Sequence, residues 1–319
     1  MTAPQHVENF LQLLAAGLLT GAIYGLMCVG LSIIFGVMRV INFAQGEFMM
    51  LGMYFAFYFF GLVGAHLLFG DLVAPFLAAL LAGPAIFVVG VLVHKLLVSR
   101  VTGIGGAALQ AEGHYAQLIL TLGISLILSN GGLVVFGSAP VSISTPLSSS
   151  PWIVGPLWGE EILLFINQGQ TIAALLAVAV VTAFALVMSR TRLGRSLRAA
   201  ADNPRAAIYV GVDVDRAYRL AFGFGVGITA IGGGLLASSY PFQPYVGIEY
   251  VIVMYAGVVL GGLGSLRGAF FGGLTIGLIQ QLSALVLPNQ LQNTAIFVCF
   301  LLIVLLKPDG LFGTAARRA

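Results

Sequence analysis

An all-α, polytopic transmembrane bundle of eight or nine spans is the fold class this sequence predicts, with the N-terminus outside and the C-terminus cytoplasmic. Three observations predict it. Of 319 residues, 59% are hydrophobic and only 8% charged, where soluble domains carry about 25% charge. Such a chain cannot cover a water-facing surface, so the bilayer must be its solvent. Nine apolar stretches come close to or exceed the length that a hydrocarbon core of roughly 30 Å requires. Finally, with nine crossings, every lysine and arginine falls on one side of the membrane, as the positive-inside bias of cytoplasmic loops demands.

The first stretch, 10–36, is longer than a crossing needs, which implies tilt or a break. No basic residue precedes Arg39, so a cleavable signal is not expected and this segment should be retained. Spans follow at 45–63, 71–98 and 116–137. The polar stretch 138–167 contains Glu160 and Glu161 but no lysine or arginine, and is read as a periplasmic loop. After the span 168–190, the stretch Arg190–Arg219 holds seven arginines and is assigned to the cytoplasm. The remaining spans are 216–239, 247–263, 267–287 and 291–307. The seventh, 247–263, is short and flanked by glycines; eight spans plus a re-entrant segment satisfy the same charge bias. The whole chain, 1–319, reads as one transmembrane domain.

Composition also excludes function classes. The net charge of +3 is accounted for by the loop bias, so no nucleic-acid partner is implied; the basic loops face membrane lipid. Cys28 and Cys299 lie in apolar runs and build neither a disulfide framework nor a metal site. His66, His94 and His114 lack paired ligands. A phosphate-binding loop needs glycines followed by lysine and a hydroxyl residue. Neither Lys95 nor Lys307 sits in one, so this chain is expected to bind no ATP or other cofactor itself. No paired carboxylates or His-Glu-x-x-His spacing marks a catalytic centre. Glycines recurring every four residues, as at Gly17, Gly21 and Gly25, are read as close helix packing.

One connection, 190–215, has structure of its own. Leu193–Ala201 is alanine-rich and strongly helical. Asn203 suits an N-cap, Pro204 the first helical position, and Gly211 a left-handed stop. Two short helices joined by a turn are therefore expected. On physical grounds alone the loop is either a basic segment lying on anionic lipid or a docking element for another protein.

The residues Gly194-Arg-Ser-Leu-Arg-Ala-Ala-Ala-Asp-Asn-Pro-Arg-Ala-Ala207, with Gly211-Val-Asp-Val-Asp-Arg216, resemble the coupling loop of the branched-chain amino-acid permeases. These are the LivH-type subunits of ATP-binding-cassette (ABC) importers. Asn42-Phe-Ala-Gln-Gly-Glu47, the glycine-rich Val259–Ala269 and Lys307-Pro-Asp-Gly-Leu-Phe-Gly313 resemble further family motifs, in the family's order along the chain. At Gln45 many relatives carry histidine, and an amide cannot titrate near neutral pH. The resemblance favours docking and assigns ATPase coupling to Arg195, Arg198, Asp202, Asn203, Pro204, Ala206 and Gly211. It implies two cytoplasmic ABC ATPase subunits that use the ATP, a second permease (LivM-like or a second copy) and a periplasmic substrate-binding protein. The setting is the bacterial inner membrane, and the solute a branched-chain amino acid or similar small molecule.

For the solute pathway, polar residues inside apolar spans are the candidates, because they tend to face a cavity or the bundle interior. Asn42, Gln45 and Glu47 are either an ordinary turn or a break in the first span that exposes backbone groups, and the resemblance favours the break. Gly262 and Ser265 are expected to mark a corresponding break in the second half, within Gly261–Ser265. Tyr24 and Ser125 complete the set, and Tyr240–Tyr245 with Glu249 reads either as a surface that receives a delivery protein or, the favoured reading, as an interfacial aromatic belt. The mechanism implied is alternating access driven by separate ATPases. The alternative is an ion-coupled secondary transporter or channel, for which Glu47 is the one serious coupling acid.

Overall fold

The computed structural model describes residues 3–62, 65–102, 113–157, 162–288, 291–307 and 310. It is a helical bundle of the membrane type. The apolar stretches appear as α1 (Ala3–Met38), α2 (Gln45–Leu62), α3 (Ala65–Val93), α5 (Gly113–Phe136), α7 (Gln168–Arg190), α10 (Val214–Ala237), α11 (Val246–Gly261), α12 (Leu266–Ser283) and α13 (Gln292–Leu306). Short elements lie between them. These are a π-turn at His94–Val98 leading into α4 (Ser99–Thr102), α6 (Pro146–Ser149), α8 (Arg192–Asp202) and α9 (Pro204–Tyr209). Among the described residues, five helices are long and apolar enough to cross a membrane, and α11 and α13 are apolar but shorter.

Helix ends follow local chemistry. Asn167 accepts from the Gln170 amide to start α7, Asp213 from Arg216 to start α10, and Ser265 from Gly268 to start α12. Each satisfies a donor that a helix start leaves free. α3 is less regular: Gly70 is non-helical (φ 74°, ψ 154°), and Pro75 and Pro84 lie inside it, each removing a helical donor.

α1 and α10 form the centre, and glycines let them do so. Gly17, Gly21 and Gly25 of α1 sit against Leu278, Leu274 and Phe270 of α12; a Cβ at Gly21 would come within 2.6 Å of the Leu274 carbonyl oxygen. Gly223 and Gly227 of α10 face Phe87 and Gly83 of α3 in the same way. Area burial gives little drive for association in lipid, so such close approach carries the packing.

Two groups of three helices are arranged alike. α1 packs on α12 and α10 on α3, while α1 and α10 cross each other. Gly30 lies by Gly225 and Thr229 whereas Gly232 lies by Met27, so α1 and α10 run in opposite senses. Tyr24 and Cys28 of α1 meet Tyr250 and Met254 of α11 in step, so α11 runs with α1. Phe48 meets Phe222, early in α10, and Tyr54 meets Phe242, beyond its end, so α2 runs with α10. The first turns of α2 and α11 touch at Gly46 and Gly247, where a Cβ on either would overlap the other's backbone. This is an inverted repeat of α1–α2–α3 and α10–α11–α12, an arrangement many transporters use.

The structure corrects several expectations. The stretch 138–167 holds an antiparallel hairpin of β1 (Pro151–Leu157) and β2 (Ile162–Asn167), so the fold is not wholly helical. Its β-branched and aromatic content favours strand once it is clear of the apolar helices. The counterpart of the 42–47 interruption is not Gly261–Ser265 but the turn 238–245, which leads into α11 as 39–44 leads into α2. That turn is no simple surface belt: Phe242 is 2% exposed, and its backbone bridges Val141. The last family-like stretch lies outside the described residues except Lys307 and Gly310.

Candidate functional site

The chain returns into the bundle between Met38 and Gln45. α1 is unbroken to Met38, so the expected break in the first span does not occur. Arg39 ends the helix with a left-handed φ of 55°, unusual for a residue with a Cβ. The chain then folds back. The Gln45 side-chain amide donates to Thr229 Oγ1 at 2.6 Å and to the Gly225 carbonyl at 3.2 Å. Thr229 in turn donates to the Met27 carbonyl at 3.3 Å. Gln45 therefore lies level with Met27, eleven residues before α1 ends, a return of about 16 Å at 1.5 Å per residue. Asn42 donates to Gln45 Oε1 at 2.9 Å and accepts from the Ala44 amide. Asn42, Gln45 and Thr229 are fully buried, and together they hold α2 with its first turn inside the bundle.

Glu47 lies in the first turn of α2 and is 1% exposed. It pairs with the Ser125 hydroxyl of α5, while its Oε2 has no partner. The structure thus joins Asn42 with Gln45 and Glu47 with Ser125. Tyr24 stands apart: its hydroxyl donates to Gln280 Oε1 at 2.8 Å and its ring meets Tyr250 edge-on, which ties α1 to α12 and α11. Gly262 (φ 95°) ends α11 and Ser265 caps α12. They flank Leu263 and Gly264, which line a cavity of about 1000 Å³ at the C-terminal end of α1.

That cavity is also lined by Arg39, Gln117, Arg198 and Asp202, so it joins the bundle to α8. The α8–α9 unit is built as its residues dictate. Thr191 caps α8; Asn203 caps α9, accepting from the Ala206 amide at 3.0 Å, with Pro204 behind it. Gly211 takes φ 82° and closes the turn. Leu197, Ala200 and Ala207 face inward and are buried. Arg198 donates to the Met188 carbonyl at the end of α7, so it anchors the unit, while Arg195 and Ala206 are exposed.

Sequence reasoning missed two features. Ile208, Tyr209 and Val210 are 40%, 90% and 77% exposed, an apolar tip on an otherwise basic loop; three consecutive apolar residues there were the available signal. Gln117 and Thr121 are buried on α5 together with Ser129. Their four-residue spacing through Ser125 was visible in the sequence and went uncounted.

Comparison with known proteins gives these features a setting. Residues 13–306 match the family model described as the branched-chain amino acid transport system, permease component. The chain belongs to that family. It is 28% identical over 305 residues to the high-affinity branched-chain amino acid permease LivH of Salmonella typhimurium, covering 95% of this chain and 96% of the relative. It is 28% identical over 311 residues to BraD of Pseudomonas aeruginosa, covering 97% of each. A probable LivH of Methanocaldococcus jannaschii is 27% identical over 263 residues, 81% of this chain and 76% of the relative. No solved structure matches significantly. The protein is therefore a multi-pass membrane permease component of a transport system, and its family is one of transport rather than catalysis.

Proposed function

We propose that this chain is a pore-forming permease subunit of an ABC importer for branched-chain amino acids or similar small solutes, in a bacterial inner membrane. Nine crossings place 138–167 in the periplasm, 190–215 in the cytoplasm, the N-terminus outside and the C-terminus inside. The positions of the two loops support this. The hairpin meets the N-terminal half of α1, where the Phe165 amide donates to the Gln12 side chain at 3.0 Å. The α8 cavity lies at the other end, by Phe35 and Gly36.

The single observation that carries the reading is the α8–α9 unit. It is capped at both starts, anchored to α7 through Arg198, and presents the largely exposed side chains of Tyr209 and Val210 at its tip. A six-residue helix is marginal in water, and an exposed apolar tip outside the lipid suits a protein groove. Two cytoplasmic ATPases would receive it, bind and hydrolyse the ATP, and move α8 beside the cavity. A second permease, homologous or identical, completes the pore, and a periplasmic binding protein supplies the solute. Within this subunit the solute passes the buried Asn42, Gln45 and Glu47 and the half-buried Ser125, and leaves by the cavity flanked by Gly262 and Ser265. ATP need only favour one of two packings of the bundle.

The test is co-purification of the tagged chain from its native host. Wild type should bring down two ATPase subunits. Tyr209→Glu with Val210→Glu should lose them while eluting as the same folded membrane protein. A folded wild-type chain that brings down no ATPase would refute the proposal.

A further inference from the structure

Helix α5 carries two faces of opposite character. Tyr115, Ile119, Leu126, Ile127 and Val134 point outward and are largely exposed, as lipid-facing residues would be. Gln117, Thr121, Ser125 and Ser129 recur every four residues, so they share one face of the helix. Gln117, Thr121 and Ser129 are buried, and this face looks towards α2. The Thr121 hydroxyl reaches the Ile41 carbonyl at 3.3 Å, Ser125 meets Glu47, and Phe136 stacks on Tyr54 with centroids 4.0 Å apart. A polar seam therefore runs between α5 and the entry into α2. Its lower end opens at Gln117 into the cavity of about 1000 Å³ beside Arg39, Arg198 and Asp202. Eight residues separate Gln117 from Ser125, which puts Glu47 about 12 Å along the seam from the cavity.

Ordinary helix glue does not explain the seam. The Ser129 hydroxyl bonds back to Leu126 of its own helix, Gln117 faces the cavity, and Glu47 Oε2 is buried with no partner. A buried acid left short of a partner is costly in a membrane interior and marks a functional position. What would satisfy it is a donor carrying positive charge. Among the described residues no such side chain pairs with it.

Building on the reading of this chain as a solute-conducting permease, we propose that the α2–α5 seam is the solute path of this subunit, and that Glu47 with Ser125 receives the ammonium group of a zwitterionic solute. Glu47 Oε2 accepts the ammonium N–H and offsets its charge, while the solute's apolar part lies against α2. α5 packs chiefly on α2, α4 and the π-turn, so it can part from α2 without dismantling the α1–α10 centre.

The test uses the whole complex in lipid, with Cys28→Ala and Cys299→Ala as background. Single cysteines replace Gln117, Thr121 or Ser125 on the seam, and Ile119 or Leu126 on the outer face. Two thiol reagents of similar size are compared, cationic 2-aminoethyl methanethiosulfonate and anionic 2-sulfonatoethyl methanethiosulfonate. Seam cysteines should react and outer ones should not. At Ser125→Cys the cation should react at least tenfold faster than the anion, and Glu47→Gln should abolish that preference. A seam that stays unlabelled with and without ATP overturns the path, and a preference unchanged by Glu47→Gln overturns the ammonium site. Both readouts are independent of which solute the complex moves. Failure of the importer reading itself shows separately, as absence of ATPase subunits from the purified complex.

Discussion

At the scale of single residues, two glycines decide whether the centre of the bundle can close. Gly46 and Gly247 open α2 and α11, and each occupies the space where the other's Cβ would lie. No flexible side chain is there to give way; the overlap is with backbone. Gly46→Ala should therefore force the two first turns apart, and interiors resist overpacking at a cost of about 1–3 kcal/mol or more. The expected outcome is a clear fall in the midpoint of thermal unfolding in detergent. A matching Gly61→Ala, where a Cβ meets nothing within 4 Å, should leave it in place. The sequence showed glycines at four-residue spacing and predicted packing, but not these two. Gly46 and Gly247 are 201 positions apart, and only the fold brings them face to face. The pairing of Gln45 with Thr229 was hidden for the same reason.

At the scale of elements, the α8–α9 unit was the most legible part of the molecule. Its alanines, the Asn203–Pro204 start and the Gly211 stop are local signals, and each appears in the structure where local chemistry puts it. Asn203→Ala removes the oxygen that accepts from the Ala206 amide, a loss of about 1 kcal/mol for an N-cap. Hydrogen exchange should accelerate at Ala206 and Ala207 while amides in the middle of α10 stay protected. Long-range features were less legible. The hairpin at 151–167 needs pairing across four intervening residues. The return from Met38 to Gln45 combines the local turn at Arg39 and Asn42 with buried bonds from Gln45 to α10, and only the local part lies within 39–44. On α5 the sequence reading singles out Ser125 alone and so misses the series it belongs to. Asn130 is exposed, bonded to the Leu126 carbonyl, whereas Gln117, Thr121 and Ser129 of the four-residue series are buried.

At the scale of the whole molecule, the repeat explains why the two interruptions matter. α1–α2–α3 and α10–α11–α12 run in opposite senses and meet at the starts of α2 and α11, so the bundle has two related halves about one buried junction. Halves of this kind can rock against each other about a fixed site. The cavity at the end of α1, lined by both α8 and the bundle, lies where motion of α8 would change access to the interior. Charge bias proposes a topology from the sequence, because it depends only on where lysines and arginines fall between the apolar stretches. The sequence hints at related halves but puts the second interruption at Gly261–Ser265 instead of 238–245, because the related segments share geometry and not side chains.

The most direct test of the account is uptake of labelled leucine by the purified complex in proteoliposomes, with ATP enclosed or omitted and with an imposed proton or sodium gradient. The account predicts that wild type accumulates leucine only when ATP is present on the face carrying the α8–α9 unit. The Tyr209→Glu, Val210→Glu variant should not accumulate it, and no gradient should substitute for ATP. Accumulation driven by an ion gradient without ATP would contradict the account and make Glu47 the acid of an ion-coupled transporter.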